Sequence, residues 1–195
     1  RLHAAGGSGI KAPGFYELFG FDPDGFVGNP DLKAERSHGW EAGIEQTFLD
    51  GRVRLDATYF DTRLEDEIYT DFSNWPISTA ANRDTVSKQR GVEVSAEALI
   101  GDAWRVHAAW AWLDAEEGGQ EEVRRPPHIG SLNLSYVDPS DAFSATLTVR
   151  YNGETLDNNF TSTGGPRVTL PAFTLVNAGG DVRLNEGVRL FARIE

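Results

Sequence analysis

The sequence predicts an all-β fold, an antiparallel up-and-down transmembrane β-barrel present as an incomplete run of about nine strands. Three observations predict it: apolar side chains recur at every second residue, charged side chains keep to one of two faces, and short connections alternate with long ones.

The elements follow in chain order, with a first alternating run over residues 1–9. Trp40, Ala42, Ile44, Gln46 and Phe48 oppose Glu41, Gly43, Glu45 and Thr47. Val53, Leu55, Ala57 and Tyr59 oppose Arg54, Asp56 and Thr58, and Val92, Val94, Ala96 and Ala98 oppose Glu93, Ser95 and Glu97. The clearest run sets Trp104, Val106, Ala108, Trp110 and Trp112 against Arg105, His107, Ala109 and Ala111, which only a strand can place on two faces. Leu132, Leu134 and Tyr136 oppose Ser131, Asn133 and Ser135, while Phe143, Ala145, Leu147, Val149 and Tyr151 oppose Ser144, Thr146, Thr148 and Arg150. The last two set Val176, Ala178, Val182 and Leu184 against Asn177, Asp181 and Arg183, then Val188, Leu190, Ala192 and Ile194 against Arg189, Arg193 and Glu195.

In the eight runs after the first, 13 Asp, Glu and Arg side chains fall on one face and none on the other. Allowing one free choice of register per charged strand, chance would produce this roughly once in 64 trials. The connections then place the faces in a membrane. Leu49 to Arg52, Gly101-Asp102, Asp138 to Asp141 and Asn185 to Gly187 are tight turns built from residues that tolerate turn geometry, whereas residues 11–37, 61–85, 114–127 and 153–170 read as long loops. Phe48, Trp104, Tyr136 and Phe143 stand beside short turns, and Trp40, Tyr59, Trp112 and Tyr151 stand toward the long loops. Two aromatic girdles at the headgroup levels of a bilayer account for this. The competing fold is a soluble β-sandwich with the same rings in a dry core, which would not require the connections to alternate by side.

Composition narrows the function. A net charge of −12 excludes a nucleic-acid surface, which needs clustered Lys and Arg. Absent cysteine excludes disulfides and thiolate metal sites within the chain. No apolar stretch is long enough for a spanning helix, a test to which barrel strands are blind. The chain begins at Arg1 and stops at Glu195 inside alternating runs, so residues 1–195 are expected to be a piece of one barrel domain.

Four segments in order carry a resemblance: Gly9-Ile10-Lys11-Ala12-Pro13, Glu17-Leu18-Phe19, Gly28-Asn29-Pro30-Asp31-Leu32-Lys33-Ala34-Glu35, and Trp40-Glu41-Ala42-Gly43-Ile44-Glu45. They continue as Tyr59-Phe60-Asp61 with Asp66-Glu67-Ile68, Arg90-Gly91-Val92-Glu93, Arg125-Pro126-Pro127-His128, Phe173-Thr174-Leu175-Val176-Asn177 and Leu190-Phe191-Ala192-Arg193-Ile194-Glu195. Over essentially its whole length the chain resembles the C-terminal part of the β-barrel of TonB-dependent outer-membrane receptors. Ile10, Ala34 and Trp40 stand where that family usually has an aromatic, a proline and a tyrosine. The resemblance implies a plugged barrel of about 22 strands, with the plug domain, the TonB box and the final strand outside this chain. It implies a multi-pass protein of the Gram-negative outer membrane, importing a ferric siderophore, another metal chelate or cobalamin, and energised by TonB-ExbB-ExbD through the N-terminal part. The alternatives are a passive porin-like channel and a barrel enzyme such as a lipase, for which no Ser and His pair on the lipid face is found.

No catalytic constellation stands out, since His3, His38, His107 and His128 are scattered, and His107 belongs to the charged face. No cofactor is expected, with one open question: Asp61, Glu65, Asp66, Glu67 and Asp71 gather carboxylates near one long loop, either as oxygen donors for Ca²⁺ or as a solvated acidic loop. Ligand recognition is expected at the outer mouth, on Tyr16, Phe19, Phe21, Tyr69, Phe72, Trp75, Asn158 and Phe160, against packing of loop on loop. The charged face, including Glu41, Glu45, Arg54, Asp56, Glu93, Glu97 and Arg105, is expected to form cross-strand ion pairs around a wet interior.

Overall fold

The computed structural model describes residues 1–159 and 166–195. Nine long strands form one antiparallel sheet in chain order: β1 (Leu2–Lys11), β2 (Glu35–Phe48), β3 (Val53–Glu65), β4 (Ser87–Ile100), β5 (Trp104–Glu117), β6 (His128–Val137), β7 (Phe143–Asn152), β8 (Phe173–Asn185) and β9 (Val188–Ile194). Each pairs with its neighbours along the chain, as in an up-and-down barrel wall, and a short strand, Gln120–Glu121, doubles back on β5.

Register decides whether the two faces survive assembly, because a one-residue slip would carry a strand's apolar row to the wrong side. They survive throughout. One row runs Leu2, Ile44, Ala57, Val94, Trp110, Gly130, Tyr151 and Thr174 through eight strands without a charge. The next row in the same strands carries His3, Gly43, Thr58 and Glu93 on the opposite side. The tight ends are staggered: Phe48 pairs with Val53, but two residues further along the strands Ile100 pairs with Trp104, and further still Phe143 pairs with Val182. Such stagger is what strand tilt requires of a barrel.

The sandwich alternative fails on burial. Among the described residues only Ala80 and Ala115 are buried hydrophobics, no large side chain is fully buried, and Ile44, Val94, Trp110, Leu132 and Val176 stand exposed on the apolar face. A soluble domain of this size buries a core; this wall offers its apolar side to lipid instead.

Both girdles form. Near the tight turns Trp104 meets Tyr136 edge-on at 4.8 Å, and Tyr136 stacks on Phe143 at 5.0 Å. Toward the long loops Trp40 packs on Tyr59 at 5.3 Å, and Trp110, rather than Trp112, stacks on Tyr151 at 5.6 Å. Gly130 lies between the last two rings; a Cβ there would stand 2.6 Å from the Trp110 ring, so glycine permits the stack. The first tight turn places Leu49, Asp50 and Gly51 at positive φ, a strain only the glycine escapes.

The charged face is partly paired as expected. Arg54 meets Glu45, and His107 stands 4.0 Å from Glu97. His3 joins Thr58 at 3.0 Å, and Arg189 bonds Asp181 at 2.7 Å. Glu41, Glu93 and Arg105 make no ion pair with the described residues.

The strands are longer than alternation suggests. β3 continues to Glu65 and β5 to Glu117, so Asp61, Glu65 and Asp114 belong to the sheet and not to loops. Beyond the outer girdle both faces of a strand meet water, the apolar and polar alternation ends, and only the backbone ladder reports the strand. The loops are also more regular than their composition suggests. Residues 12–34 hold a helix, α1 (Phe15–Phe19), and the short strands Phe21–Asp22 and Phe26–Val27, which join Ser78–Asn82 and Ile68–Asp71 in a four-stranded sheet.

Candidate ligand-binding site

The outer mouth is assembled from two loops stitched together by the residues that carried the resemblance. Gly28 donates to the Gly20 carbonyl at 2.7 Å and Asn29 to the Glu17 carbonyl at 2.8 Å, which seats the segment against α1. A Cβ on Gly28 would meet the Leu18 and Phe19 backbone at 2.7 Å, so only glycine allows this approach. The Asn29 side chain reaches across to the Ala80 carbonyl at 3.0 Å, and Asn82 returns the contact through both the N–H and the C=O of Lys33. Glu35 closes the assembly, accepting from Lys11 Nζ at 2.9 Å and from the Ile68 N–H at 3.0 Å. Glu35 is buried at the mouth, so its carboxylate needs both partners. Neither Lys11 nor Glu35 is assigned a role by sequence reasoning, although both lie inside the motif segments.

On this scaffold the expected aromatics are presented rather than packed away. Tyr16 stacks on Phe26 at 4.8 Å and keeps its outer edge exposed. Phe19, Phe21, Phe72 and Trp75 are exposed, as is Phe15, which sequence reasoning missed because α1 is too short to show a period. The turn bearing Phe72 and Trp75 is shaped by Asp71, which accepts from the N–H and hydroxyl of Ser73 at 2.9 and 2.8 Å. Tyr69 is different: Arg83 lies over its ring at 4.5 Å. Asn158 is exposed on a separate hairpin formed by Thr155–Asp157 and Val168–Leu170, which bonds to the loop after β5 through Arg124 and Asp157 at 2.9 Å. Phe160 lies outside the described residues.

The carboxylates considered for calcium are not brought together. Asp61 stands on β3 facing the same side as Tyr59, 4.0 Å from Arg63, and Glu65 follows at the end of that strand. Asp66 stands 3.7 Å from Lys33, and Asp71 is engaged by Ser73. Among the described residues no three His, Asp or Glu side chains group to hold a metal ion.

A different polar cluster lines the inner side of the mouth. Arg83 stands 3.1 Å from Glu117 and 3.6 Å from Glu67, while Glu122 accepts from Ser87 and from Gln89 at 3.1 Å. Burial pushes the Glu67 carboxyl above its ordinary value; Arg83 offsets this only in part, and the charges of Glu117, Glu122 and Glu35 add to the rise. The mouth therefore joins exposed rings above to an acidic, hydrogen-bonded rim below, a surface able to hold a bulky, partly apolar ligand at the entrance to a wet interior.

A lipid-facing wall, an inward charged face and folded-over outer loops define the wall of a transmembrane β-barrel. The family described as "TonB dependent receptor-like, beta-barrel" matches residues 1–195, and the chain belongs to that family. It is 30% identical to the vitamin B12 transporter BtuB of Vibrio vulnificus (strain YJ016), over 98% of this chain and 29% of that protein. It is 27% identical to the metal-pseudopaline receptor CntO of Pseudomonas aeruginosa (strain UCBPP-PA14), over 73% of this chain and 21% of that one. The siderophore receptor PirA from Acinetobacter baumannii shares the fold with a TM-score of 0.75 at 17% identity, over 95% of this chain and 33% of PirA. The chain thus spans under a third of the length of the curated relatives named here.

Proposed function

We propose that this chain forms wall and outer mouth of a TonB-dependent transporter in the outer membrane of a Gram-negative bacterium, importing a scarce nutrient of the metal-chelate or cobalamin class. The observation that carries the reading is the mouth itself: exposed Tyr16, Phe19, Phe21, Phe72 and Trp75 on two loops locked to the wall above an acidic rim. Rings of this kind supply affinity for ligands too large and too rare for passive diffusion, and polar groups at the rim orient them. Transport then needs a plug in the lumen and contact with TonB, ExbB and ExbD, which the reading places in the remainder of the receptor. The relatives are named for vitamin B12, metal-pseudopaline and siderophores, which supports this class of ligand without choosing within it. No covalent chemistry is assigned to the chain.

The test is growth of a strain whose only copy of the full receptor carries Phe21→Ala and Trp75→Ala, on each candidate ferric siderophore or cobalamin as limiting nutrient. The expected result is loss of uptake for one ligand with barrel assembly intact, abolished equally by deleting TonB. Uptake independent of TonB, or open-channel conductance from the intact receptor, would favour a passive pore and overturn the proposal.

A further inference from the structure

The two segments that carry the rings of the mouth are also alike in charge. Residues 12–32 hold Phe15, Tyr16, Phe19, Phe21 and Phe26 together with Glu17, Asp22, Asp24 and Asp31, and contain no Lys, Arg or His. Residues 64–82 hold Tyr69, Phe72 and Trp75 together with Glu65, Asp66, Glu67 and Asp71, and again no cation. A surface built to hold a polyanion needs the opposite composition, because like charges brought together at an interface lower affinity and slow encounter.

The cations that flank these segments are already engaged. Lys11 donates to Glu35 at 2.9 Å, Lys33 stands 3.7 Å from Asp66, and Arg83 stands 3.1 Å from Glu117 with its guanidinium over the Tyr69 ring. Further round the mouth Arg124 stands 2.9 Å from Asp157 and Arg125 3.4 Å from Glu122. Carboxylates beside the rings are left over. Asp22, Asp24, Asp31 and Asp71 form no ion pair with the described residues. Asp22 accepts from the Asp24 N–H at 3.1 Å and Asp71 from Ser73, neutral bonds that shape turns and leave the charge in place. Phe21 directly precedes Asp22, and Phe72 directly follows Asp71. The exposed rings of Phe21, Phe72 and Trp75 stack on no other ring among the described residues, and a ring face is itself a seat for apolar or cationic groups.

We propose that the mouth selects its ligand by charge: it captures a chelate or corrinoid that is neutral or positive overall, laying apolar or cationic groups on these rings, and turns away polyanions such as ferric tris-catecholates. The inference rests on the reading of the mouth as a ligand-binding surface, and chooses within the class that reading leaves open. Its size follows from screening: at about 8 Å, one Debye length at physiological ionic strength, each charge pair in water changes an encounter about 1.4-fold. Four carboxylates therefore separate a univalent cation from a univalent anion about tenfold.

The test uses the full-length receptor carrying Asn74→Cys, an exposed position between Phe72 and Trp75, read against the receptor without that thiol. Two methanethiosulfonate reagents of similar size, one bearing trimethylammonium and one sulfonate, report the local potential through their rates of reaction. After division by their rates with free cysteine, the cationic reagent should react about tenfold faster, and the preference should vanish in about 1 M salt. Asp22→Asn with Asp24→Asn, which keeps the acceptor oxygen of the turn, should cut the preference to about fourfold. Equal rates, or a preference unmoved by the two asparagines, would overturn the inference. In cells with this receptor as the only importer, growth is expected on cyanocobalamin or a ferric hydroxamate and not on a ferric tris-catecholate. TonB-dependent growth on the tris-catecholate would overturn the charge selection and uphold the transporter reading. Failure of TonB-dependent growth on all of them would count against the transporter reading alone, with the reagent rates still deciding the charge.

Discussion

Strand β4 presents one side to two solvents. Between Val92 and Ala98 that side carries Val, Val, Ala and Ala; between Lys88 and Arg90, on the same strand and the same side, it carries only cations. Backbone geometry does not change across the boundary, since the ladder to β3 and β5 runs unbroken from Ser87 to Ala98. What changes is the medium. Below the girdle the side chains must suit hydrocarbon, whereas above it they need only stay hydrated, and the sheet there is secured by polar ties.

The largest effect should come from moving the boundary. Ala108→Arg, midway along β5 between Trp104 and Trp112, places a charge at mid-depth and should cost about 2–4 kcal/mol, seen as lost heat-modifiability on a gel. Lys88→Val, the reverse exchange above the girdle, should assemble normally, and failure there would break the comparison. Next, Gly28→Ala forces a Cβ against the Leu18 backbone, and should loosen the mouth by about 1–3 kcal/mol. Faster chymotrypsin cleavage at Tyr16 and Phe19, with the barrel band unchanged, is the readout. Lys11→Met leaves the buried Glu35 with one partner fewer and should destabilise the same loops by about 1 kcal/mol, measured by hydrogen exchange at the Ile68 amide. Smallest is a pH effect at Glu67. Its carboxyl sits above the ordinary value, so its neutral form is the one the fold favours. The contribution is present at low pH and is lost as pH rises from the ordinary glutamate range through the raised value. Exchange of the Arg83 amide, which donates to the Glu67 carbonyl at 2.8 Å, should slow as pH falls, after correction for intrinsic exchange, and Glu67→Gln should abolish the dependence.

The same division explains what was legible in the sequence. Strand order, facing and both girdles could be read because lipid on one side and water on the other stamp a period of two on every residue from Trp40 to Phe48 or from Trp104 to Trp112. The outer ends of β3 and β5 could not, since Asp61 to Glu65 and Asp114 to Glu117 are wet on both sides. The mouth was half legible. Its aromatics were identifiable as loop residues that cost free energy to expose, but the pairing of residues 12–34 with 66–86 rests on two-residue strands and on side chains such as Asn29 and Asn82 meeting backbone some 50 positions away, which no local pattern records. The same limit holds for the acidic segment: nearness along the chain places Asp61 and Asp66 together, while in the fold Asp61 stands by Arg63 and Asp66 by Lys33.

The stagger of the tight turns has a consequence for insertions and deletions. Because hydrogen-bonded rows slope relative to the bilayer plane, Trp40 and Trp110 mark one headgroup level from two different rows. Adding or removing a pair of residues within β4 would leave inside and outside unaltered yet slide its whole ladder one step on its neighbours, lifting or sinking half the belt of rings. The wall thus tolerates length change in its loops and almost none between its belts, which gives it a fixed gauge matched to the thickness of the membrane it spans.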